Sequence, residues 1–274
     1  MRLRFGHVQN PFSAPVLVAM ERGHLAEAGV EFELTRFANG SEMSRALALG
    51  EVDAGVGGHL QTLAATLAGA DQVFIAPLGF ERAPDHLPIA LVAAGPISSG
   101  RELEGATVGV SALAAISELQ LRIYMRAQGA DYGTLTLRAM PFAQLAAALE
   151  SGEIAAASAP DPFAAQLAAD GLAQIIDRGS LSAELADGER VMIAGLAASR
   201  AWVQSNPVAA RAIAGALARA VDELRGQPAP AGMHVPHFDR PLREADLQRV
   251  FDLAYEHGLV DRRTQAGELM VALD

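Results

Sequence analysis

The chain has 274 residues, of which 51% are hydrophobic and 19% charged, a composition typical of a folded globular protein with one large domain or two lobes. Its net charge of −11 argues against nucleic acid or an anionic membrane surface as partner, and no local basic stripe offsets it. Cysteine is absent and all 21 basic residues are arginine, which excludes disulfides, thiolate nucleophiles and lysine Schiff bases.

The N-terminal part of the chain alternates between β-type runs and helical segments. Strands are predicted where apolar and polar residues alternate, and helices where glycine ends an apolar-periodic stretch. Ser41 stands at the N-cap position of the second helix, and Gly50 ends that helix. The predicted elements are strands at 3–8, 30–37 and 51–57 and helices at 15–29 and 41–49.

A sequence motif recurs 102 residues apart, at 39–58 and 141–160. Both copies contain Ala-Leu, then Gly-Glu, then a β-branched residue, then Ala. Each copy lies at the same place in a βαβαβ pattern, which is typical of a parallel sheet flanked by helices. We therefore expect two similar α/β lobes. The second pattern has strands at 106–111, 134–140 and 153–159 and helices at 112–129 and 142–152.

The remaining segments are expected to connect and complete the two lobes. We place the crossings between lobes in the strands near 90–95 and 191–196, so that lobe one comprises 1–94 and 193–274 and lobe two 95–192. The expected fold is thus two mixed, mostly parallel sheets joined by two hinge strands. The further elements are strands at 72–80, 87–95, 173–179 and 190–199 and helices at 161–171, 199–206, 207–226 and 243–258.

The start of the sequence is predicted to be a strand rather than a secretory signal, because it lacks an apolar central region and a cleavage site. A run of eighteen uncharged apolar residues is also missing, so a transmembrane helix is not expected. The protein is therefore expected to be either cytoplasmic or periplasmic with its export signal removed.

Ligand contacts are expected in the loops beyond the carboxyl ends of the strands, where open α/β sheets bind small molecules. Helix N-termini at that edge present N–H groups to anions, and aromatic residues cover the ligand. A cleft between two such lobes would carry contacts on both walls, and Arg82 would add a charge. The candidate ligand-binding residues are Gln9, Asn10, Phe12, Ser13, Asn39, Gly40, Ser41, Gly58, His59, Arg82, Ser111, Ala112, Phe142, Asp161 and Phe163.

Several of these residues have an alternative, purely structural interpretation. Ser41 and Asp161 suit the N-caps of the helices that follow them. The residues Phe12, His59 and Phe163 suit core or loop packing, and Arg82 suits a surface ion pair. His234 and His237 suggest zinc, but a third ligand at a fixed spacing is missing, so neither a metal nor a cofactor is expected.

The order of these segments resembles the type II periplasmic substrate-binding proteins of ABC importers, in the nitrate, sulfonate, taurine and thiamine-precursor branch. The resemblance covers nearly the whole chain. It departs from the family pattern at Asp161, where glutamate is usual, and at Ala159-Pro160, where a bulky aromatic often stands. The stretches that carry it are LRFGHVQNPFSAPVLVAMERGHLAEAGVEFEL, ALALGEVDAGVGG, ATVGV, LAAALESGEIAAASAPDPFAAQLAADG and ASRAWVQSNPVAARAIAGALARAVD.

The resemblance implies a monomeric, cofactor-free, non-enzymatic protein of the periplasm that closes on a small anionic or zwitterionic molecule and delivers it to a membrane permease. The ligand would be a sulfonate, a carboxylate or a pyrimidine-like compound. A cofactor-free cytoplasmic lyase or biosynthetic enzyme on the same scaffold is the alternative, with His59 and Asp161 as the acid/base pair. The absence of cysteine opposes the desulfinase and thiamine-pyrimidine versions of that enzyme. A ligand sensor that presents its closed form to a partner is a third possibility.

Overall fold

The chain folds into two compact units in a computed structural model that describes residues 2–8, 10–85, 88–229, 231, 234–271 and 273. Unit 1 comprises Met1–Phe80, Arg190–Pro228 and Pro236–Asp274, and unit 2 comprises Glu81–Glu189 and Ala229–Val235. Each unit contains one five-stranded sheet flanked by helices. The expected fold class is therefore confirmed.

The strands alternate with helices along most of the chain. In chain order the strands are β1 (Arg2–Val8), β2 (Glu31–Phe37), β3 (Ala54–Gly58), β4 (Gln72–Arg82), β5 (Ile89–Ala93), β6 (Thr107–Val110), β7 (Thr136–Ala139), β8 (Ala156–Pro160), β9 (Gln174–Asp177) and β10 (Arg190–Ser199). The helices are α1 (Ala14–Glu21), α2 (His24–Glu27), α3 (Gly40–Ala48), α4 (His59–Leu67), α5 (Ile116–Ala127), α6 (Leu145–Glu150), α7 (Phe163–Ala169), α8 (Ser180–Ala183), α9 (Arg200–Ser205), α10 (Pro207–Leu224) and α11 (Glu244–Glu256).

The two sheets have the same internal order. Unit 1 has the order β2-β1-β3-β10-β4, and unit 2 has the order β7-β6-β8-β5-β9. In unit 1, β1 is parallel to β2 and β3, and β10 runs antiparallel to β3. In unit 2, β6 is parallel to β7 and β8, and β5 runs antiparallel to β8 and β9. The repeated sequence motif therefore marks equivalent strands and helices of two similar units.

The glycines of the repeated motif end equivalent helices in the same way. Gly50 follows α3 with a φ of +69°, and its N–H donates to the carbonyl of Leu47 at 3.1 Å. Gly152 follows α6 with a φ of +72°, and its N–H donates to the carbonyl of Leu149 at 3.1 Å. Glycine is favoured at such a left-handed position because glycine lacks a Cβ atom.

A second pair of glycines allows equivalent helices to approach the central strands. A Cβ atom on Gly6 of β1 would lie 2.9 Å from Met43 Cγ of α3. A Cβ atom on Gly109 of β6 would lie 3.1 Å from Leu145 Cδ2 of α6. Met43 and Leu145 are also 102 residues apart, so the repeat extends to side-chain packing.

The hydrophobic core of unit 2 covers both faces of its sheet, as the alternation of residues along β5 and β8 requires. Ala157 and Ala159 of β8 pack with residues of α6 and α7, including Leu145. The opposite face, which includes Ala156, packs with α5 through Leu121 and neighbouring residues. The core of unit 1 includes the fully buried Phe5, Phe74, Phe80, Phe251, Leu60 and Leu63.

The boundaries between the units differ from the expected ones. The chain first leaves unit 1 after Phe80 rather than in the strand near 90–95, because β5 pairs with β8 and β9 of unit 2. It returns at Arg190, so the whole of β10 belongs to unit 1. The segment Ala229–Val235, expected in lobe one, belongs to unit 2. The chain therefore crosses between units more often than the two predicted hinge strands allow.

Three local predictions are also corrected. The expected helix at 15–29 is two helices, because Gly23 adopts a φ of +78° between α1 and α2. The N-cap of α3 is Asn39 rather than Ser41, which is exposed in the first turn. Helix α4 was not predicted, although it begins at His59 directly after β3.

Across the residues that the structure describes, the helices are all too short or too polar to cross a membrane.

Candidate functional site

The carboxyl ends of three parallel strands define one edge of the unit 1 sheet. Strands β1, β2 and β3 end at Val8, Phe37 and Gly58. A loop connects β1 and β2 to the helices that follow them, whereas β3 leads directly into α4. Because the strands are parallel, these three chain segments begin at the same edge, which we call the unit 1 carboxyl edge.

The loop after β1 is held by its own polar side chains. Asn10 Oδ1 accepts a hydrogen bond from the N–H of Phe12 at 3.1 Å. Ser13 Oγ donates to the carbonyl of Val8 at 2.7 Å, and both Phe12 and Ser13 are buried. Of the predicted residues in this loop, Asn10 is therefore the more accessible one, while Gln9 lies outside the described residues.

The loop after β2 leads into α3 through a side-chain cap. Asn39 Oδ1 accepts from the N–H of Glu42 at 2.9 Å, which satisfies one of the free donors of the first turn. The acidic side chain of Glu42 in the same turn also disfavours a bound anion. Gly40 and Ser41 are the first two residues of this helix.

The first turn of α4 differs, since its residues are His-Leu-Gln-Thr without an acid and its N-cap is Gly58. A side-chain cap for this turn is missing among the residues that the structure describes. The first N–H groups of a helix have no partner within the helix, and those of α4 lie at the unit 1 carboxyl edge.

Gln61 lies beside two helix starts at this edge and was missed by the sequence analysis. A Cβ atom on Gly58 would overlap Gln61 Oε1, and one on Gly40 would lie 3.2 Å from Gln61 Nε2. The Gln61 amide therefore occupies the space that glycine leaves open at the beginnings of α3 and α4. Gln61 could have been recognised from the sequence only as a polar residue in the first turn of α4, and that helix was not predicted.

His59 is buried and neutral. Its side chain is 1% exposed, and Nδ1 lies 2.5 Å from the carbonyl oxygen of Ile193 in β10. A carbonyl only accepts, so Nδ1 carries the proton of the neutral imidazole. Burial lowers the pKa of His59 to about 4, and the hydrogen bond to Ile193 offsets this only in part. Nε2 lacks a hydrogen-bond partner within the described part of the chain.

The unit 2 sheet has an equivalent edge, which we call the unit 2 carboxyl edge. Strands β6, β7 and β8 are parallel and end at Val110, Ala139 and Pro160. The loop after β6 contains Ser111, which is half-buried, and the buried Ala112. Leu113, in the same loop, is 55% exposed and was not predicted as a site residue.

Two aromatic rings lie at the unit 2 carboxyl edge. Phe142 and Phe163 stack with centroids 5.3 Å apart and an interplanar angle of 29°. Both rings pack against the core cluster formed by α6 and α7 but are only partly buried. The core interpretation of Phe163 therefore holds in part, and the role of both rings as ligand contacts stays a prediction.

Asp161 is fully buried and bound by three donors. Its Oδ1 accepts from Arg178 Nη2 at 3.0 Å and from the N–H of Ala165 at 3.2 Å. Its Oδ2 accepts from the N–H of His234 at 2.7 Å. Asp161 therefore caps the first turn of α7 and anchors the segment that contains His234. The role of Arg178 was missed by the sequence analysis.

The remaining candidates are distributed between the units. Arg82 is the half-buried last residue of β4 and belongs to unit 2. His59 belongs to unit 1 and Asp161 to unit 2, and each has an internal partner. Likewise, His234 and His237 belong to different units. Within unit 1, Gln61 lies beside Gly40 and Gly58, and within unit 2, Phe142 stacks on Phe163, whereas the role of the candidates as ligand contacts stays a prediction.

Two mixed five-stranded sheets with loops and helix starts at one edge define the fold of the periplasmic binding proteins. The chain belongs to the NMT1-like family, whose family profile matches residues 1–232. At a significant level, no curated protein sequence matches it.

Solved structures of binding proteins share this fold. The alkanesulfonate-binding protein SsuA from Xanthomonas axonopodis pv. citri, bound to MOPS, is 19% identical with a TM-score of 0.80, over 99% of this chain and 98% of that one. The aliphatic sulphonate binding protein SsuA from Escherichia coli is 21% identical with a TM-score of 0.70, over 98% and 96%. A ligand-binding component of an ABC-type import system from Staphylococcus aureus, with zinc bound, is 14% identical with a TM-score of 0.78, over 99% and 97%. At these identities the similarity shows the fold.

Proposed function

We propose that this protein is the substrate-binding component of an ABC importer and that it captures a small anionic or zwitterionic organic molecule. The membership in the NMT1-like family and the similarity to sulfonate-binding and other importer proteins support this role. We further propose that it acts as a monomer in the periplasm and delivers its ligand to a membrane permease. The candidate ligands are sulfonates, carboxylates and pyrimidine-like compounds.

The observation that carries the proposal is the first turn of α4. It combines free N–H groups, the absence of an acidic residue from the sequence of the turn, and the amide of Gln61 next to Gly58. The N-terminus of a helix favours negative charge because its N–H dipoles are unpaired and aligned. A carboxylate or sulfonate group would accept hydrogen bonds from this turn, and the Gln61 amide would donate one more.

The unit 2 carboxyl edge offers a different kind of surface. Its accessible groups include Leu113 and the partly buried rings of Phe142 and Phe163, with Ser111 as a polar neighbour in the chain. Apolar and aromatic groups suit the organic part of a ligand rather than its charge. We propose that unit 1 binds the charged group and unit 2 covers the rest of the molecule.

A ligand that contacts both units would favour their closure. Its effect on the equilibrium equals the difference between its contact free energies in the closed and open states. Hinge closure around a ligand is a recurrent response of two-lobed binding proteins. We propose that the permease then recognises the closed, loaded form.

The ligand class is tested by thermal-shift screening of sulfonates including MOPS, of carboxylates, nitrate and pyrimidines, followed by calorimetry on the compounds that stabilise the protein. Gln61→Ala is expected to weaken binding of an anionic hit by roughly 10-fold to 100-fold, because a hydrogen bond to a charged group contributes about 1.5–3 kcal/mol. Gln204→Ala, at an exposed position of α9, is the matched control. The proposal is wrong if anions fail to stabilise the protein or if both variants bind them as the wild type does.

A further inference from the structure

The loop after β6 contains a strained residue. Ala114 has a φ of +53°, and it is the one non-glycine residue with a positive φ in the described part of the chain. This conformation brings the Cβ atom close to the backbone and is unfavourable for any residue except glycine. Such strain persists only where the surrounding structure holds it.

A buried carboxylate holds this conformation. Glu118 Oε2 accepts a hydrogen bond from the N–H of Ala114 at 2.8 Å, and the Glu118 side chain is 7% exposed. Its other oxygen, Oε1, accepts from Tyr132 Oη at 2.8 Å and from Arg122 Nη2 at 2.9 Å. The guanidinium of Arg122 also lies 4.1 Å from the centroid of the Tyr132 ring. The carboxylate is therefore fixed by Arg122, one turn further along α5, and by Tyr132 from the segment that follows the helix.

The strain is not needed to begin the helix. Ala115 is the N-cap of α5, and a side chain that caps it is missing among the described residues. Glu118 is the third helical residue, from which a carboxylate ordinarily accepts the N–H of the N-cap itself. Here it accepts the N–H of the residue before the N-cap. A serine or aspartate at position 115 would begin the helix without a strained neighbour.

The consequence of the arrangement is the position of the loop. Ala114 directly follows Leu113, which is 55% exposed, and Ser111 precedes both at the unit 2 carboxyl edge. The loop is held by a buried network at the edge of the sheet, and loops positioned by a rigid scaffold are where binding residues commonly lie, which makes the exposed Leu113 a candidate contact residue.

We infer that Glu118 is a positioning residue, which fixes the loop 111–115 so that Leu113 presents an apolar contact to the organic part of the ligand. The inference rests on the proposed function, because it concerns one wall of the same site. Without the hydrogen bond between the Ala114 N–H and Glu118, Ala114 relaxes toward negative φ and the binding-competent loop becomes a minor conformer. The apparent affinity then falls in proportion to the fraction of competent molecules.

The test compares Glu118→Gln, Ala114→Gly and the double variant with the control Glu150→Gln, an exposed glutamate at the end of α6. The glutamine amide nitrogen cannot accept a hydrogen bond, so the isostere cannot serve Ala114 and its other two donors together. Amide hydrogen exchange in 111–115 and binding of MOPS, or of the tightest compound from the screen, are measured for each.

We expect Glu118→Gln to exchange faster in 111–115 and to bind about tenfold more weakly, since a tenfold drop in competent loop gives a tenfold weaker affinity. Adding Ala114→Gly is expected to recover part of the affinity, because glycine adopts positive φ freely. If Glu118 had a purely structural role, Glu118→Gln would change the stability, and adding Ala114→Gly would not recover the affinity.

The failures can be told apart. If exchange in 111–115 is unchanged by Glu118→Gln, the positioning role is overturned whether or not a ligand is known. If exchange rises but affinity stays the same, the loop is not part of the site, and the inference is overturned while the proposed function stands. If none of the compounds binds the wild type, the proposed ligand class fails, and the exchange measurement alone decides whether Glu118 fixes the loop.

Discussion

The guanidinium of Arg190 lies over the ring of Phe80, with its central carbon 4.3 Å from the ring centroid. Phe80 is the last residue of unit 1 before the chain enters unit 2, and Arg190 is the first residue after its return. The buried Arg190 also binds Asp246 at 2.9 Å and Asp239 at 2.6 Å. One side chain therefore joins both crossing points to the C-terminal part of unit 1.

Removal of the Arg190 charge is expected to destabilise unit 1 strongly. Arg190→Met keeps much of the apolar volume but leaves the 1% exposed Asp246 without its buried partner. Loss of one member of a buried ion pair typically costs about 3–5 kcal/mol. Urea denaturation followed by circular dichroism measures the free energy of unfolding.

The matched control is Arg243→Met, which removes another arginine that binds Asp246. The Arg243 side chain is 56% exposed, so its ion pair is screened by solvent and contributes roughly 0–1 kcal/mol. Equal destabilisation by the two variants would show that burial of Arg190 is not the cause.

Much of the fold could be predicted because its signals are local. Strand β10 has the predicted bounds around its apolar run, and Pro207 begins α10 as expected. The repeated motif predicted the equivalence of the units because both copies have a left-handed position, at Gly50 and at Gly152, that favours glycine. Helix α4 was missed because a glycine pair precedes it and a polar N-cap is absent from its sequence.

The functions of individual site residues could not be predicted because they depend on distant partners. His59 and Asp161 occupy equivalent positions 102 residues apart, and both were suitable ligand contacts from sequence. Their observed partners lie far along the chain: Ile193 for His59, and Arg178 and His234 for Asp161. The unit boundary near β5 could not be predicted for the same reason, because the pairing of β5 with the distant strand β8 decides it.

The buried His59 is expected to make stability depend on pH. Burial lowers its pKa from 6.5 to about 4, so the unfolded chain takes up a proton that the folded protein does not bind in this range. The stabilisation is complete above pH 6.5 and is lost as the pH falls toward 4, by about 3 kcal/mol in all. Urea denaturation at a series of pH values measures this slope.

His59→Gln is expected to flatten the slope, because glutamine can still donate to Ile193 but does not titrate in this range. The slope will not vanish, since burial also lowers the pKa of His7, with Arg36 as a second cause. Parallel curves for the variant and the wild type would contradict the assignment.

Two glycine substitutions are expected to change stability in opposite directions. Gly215 lies in the exposed part of α10. Among the described residues, no atom outside its own helix backbone and chain neighbours lies within 4 Å of the place that an added Cβ atom would take. Gly215→Ala should raise the free energy of unfolding by about 0.5–1 kcal/mol through helix propensity. Gly152→Ala should lower it by about 1–2 kcal/mol, because its φ is +72°. Changes of the same sign would refute this argument from backbone conformation.

Asp161 is expected to hold the segment Ala229–Val235 on unit 2. Asp161→Asn removes the buried charge that faces the half-buried Arg178. It also points an amide N–H₂ group at one of the three donors that hydrogen-bond to the carboxylate. We expect a loss of about 3–5 kcal/mol and faster amide exchange at His234 and its neighbours. Asp170→Asn, at the exposed end of α7, should change neither quantity. If the exchange at His234 is instead the same in both variants, its N–H is protected by the fold around it, and Asp161 serves Arg178 and α7 alone.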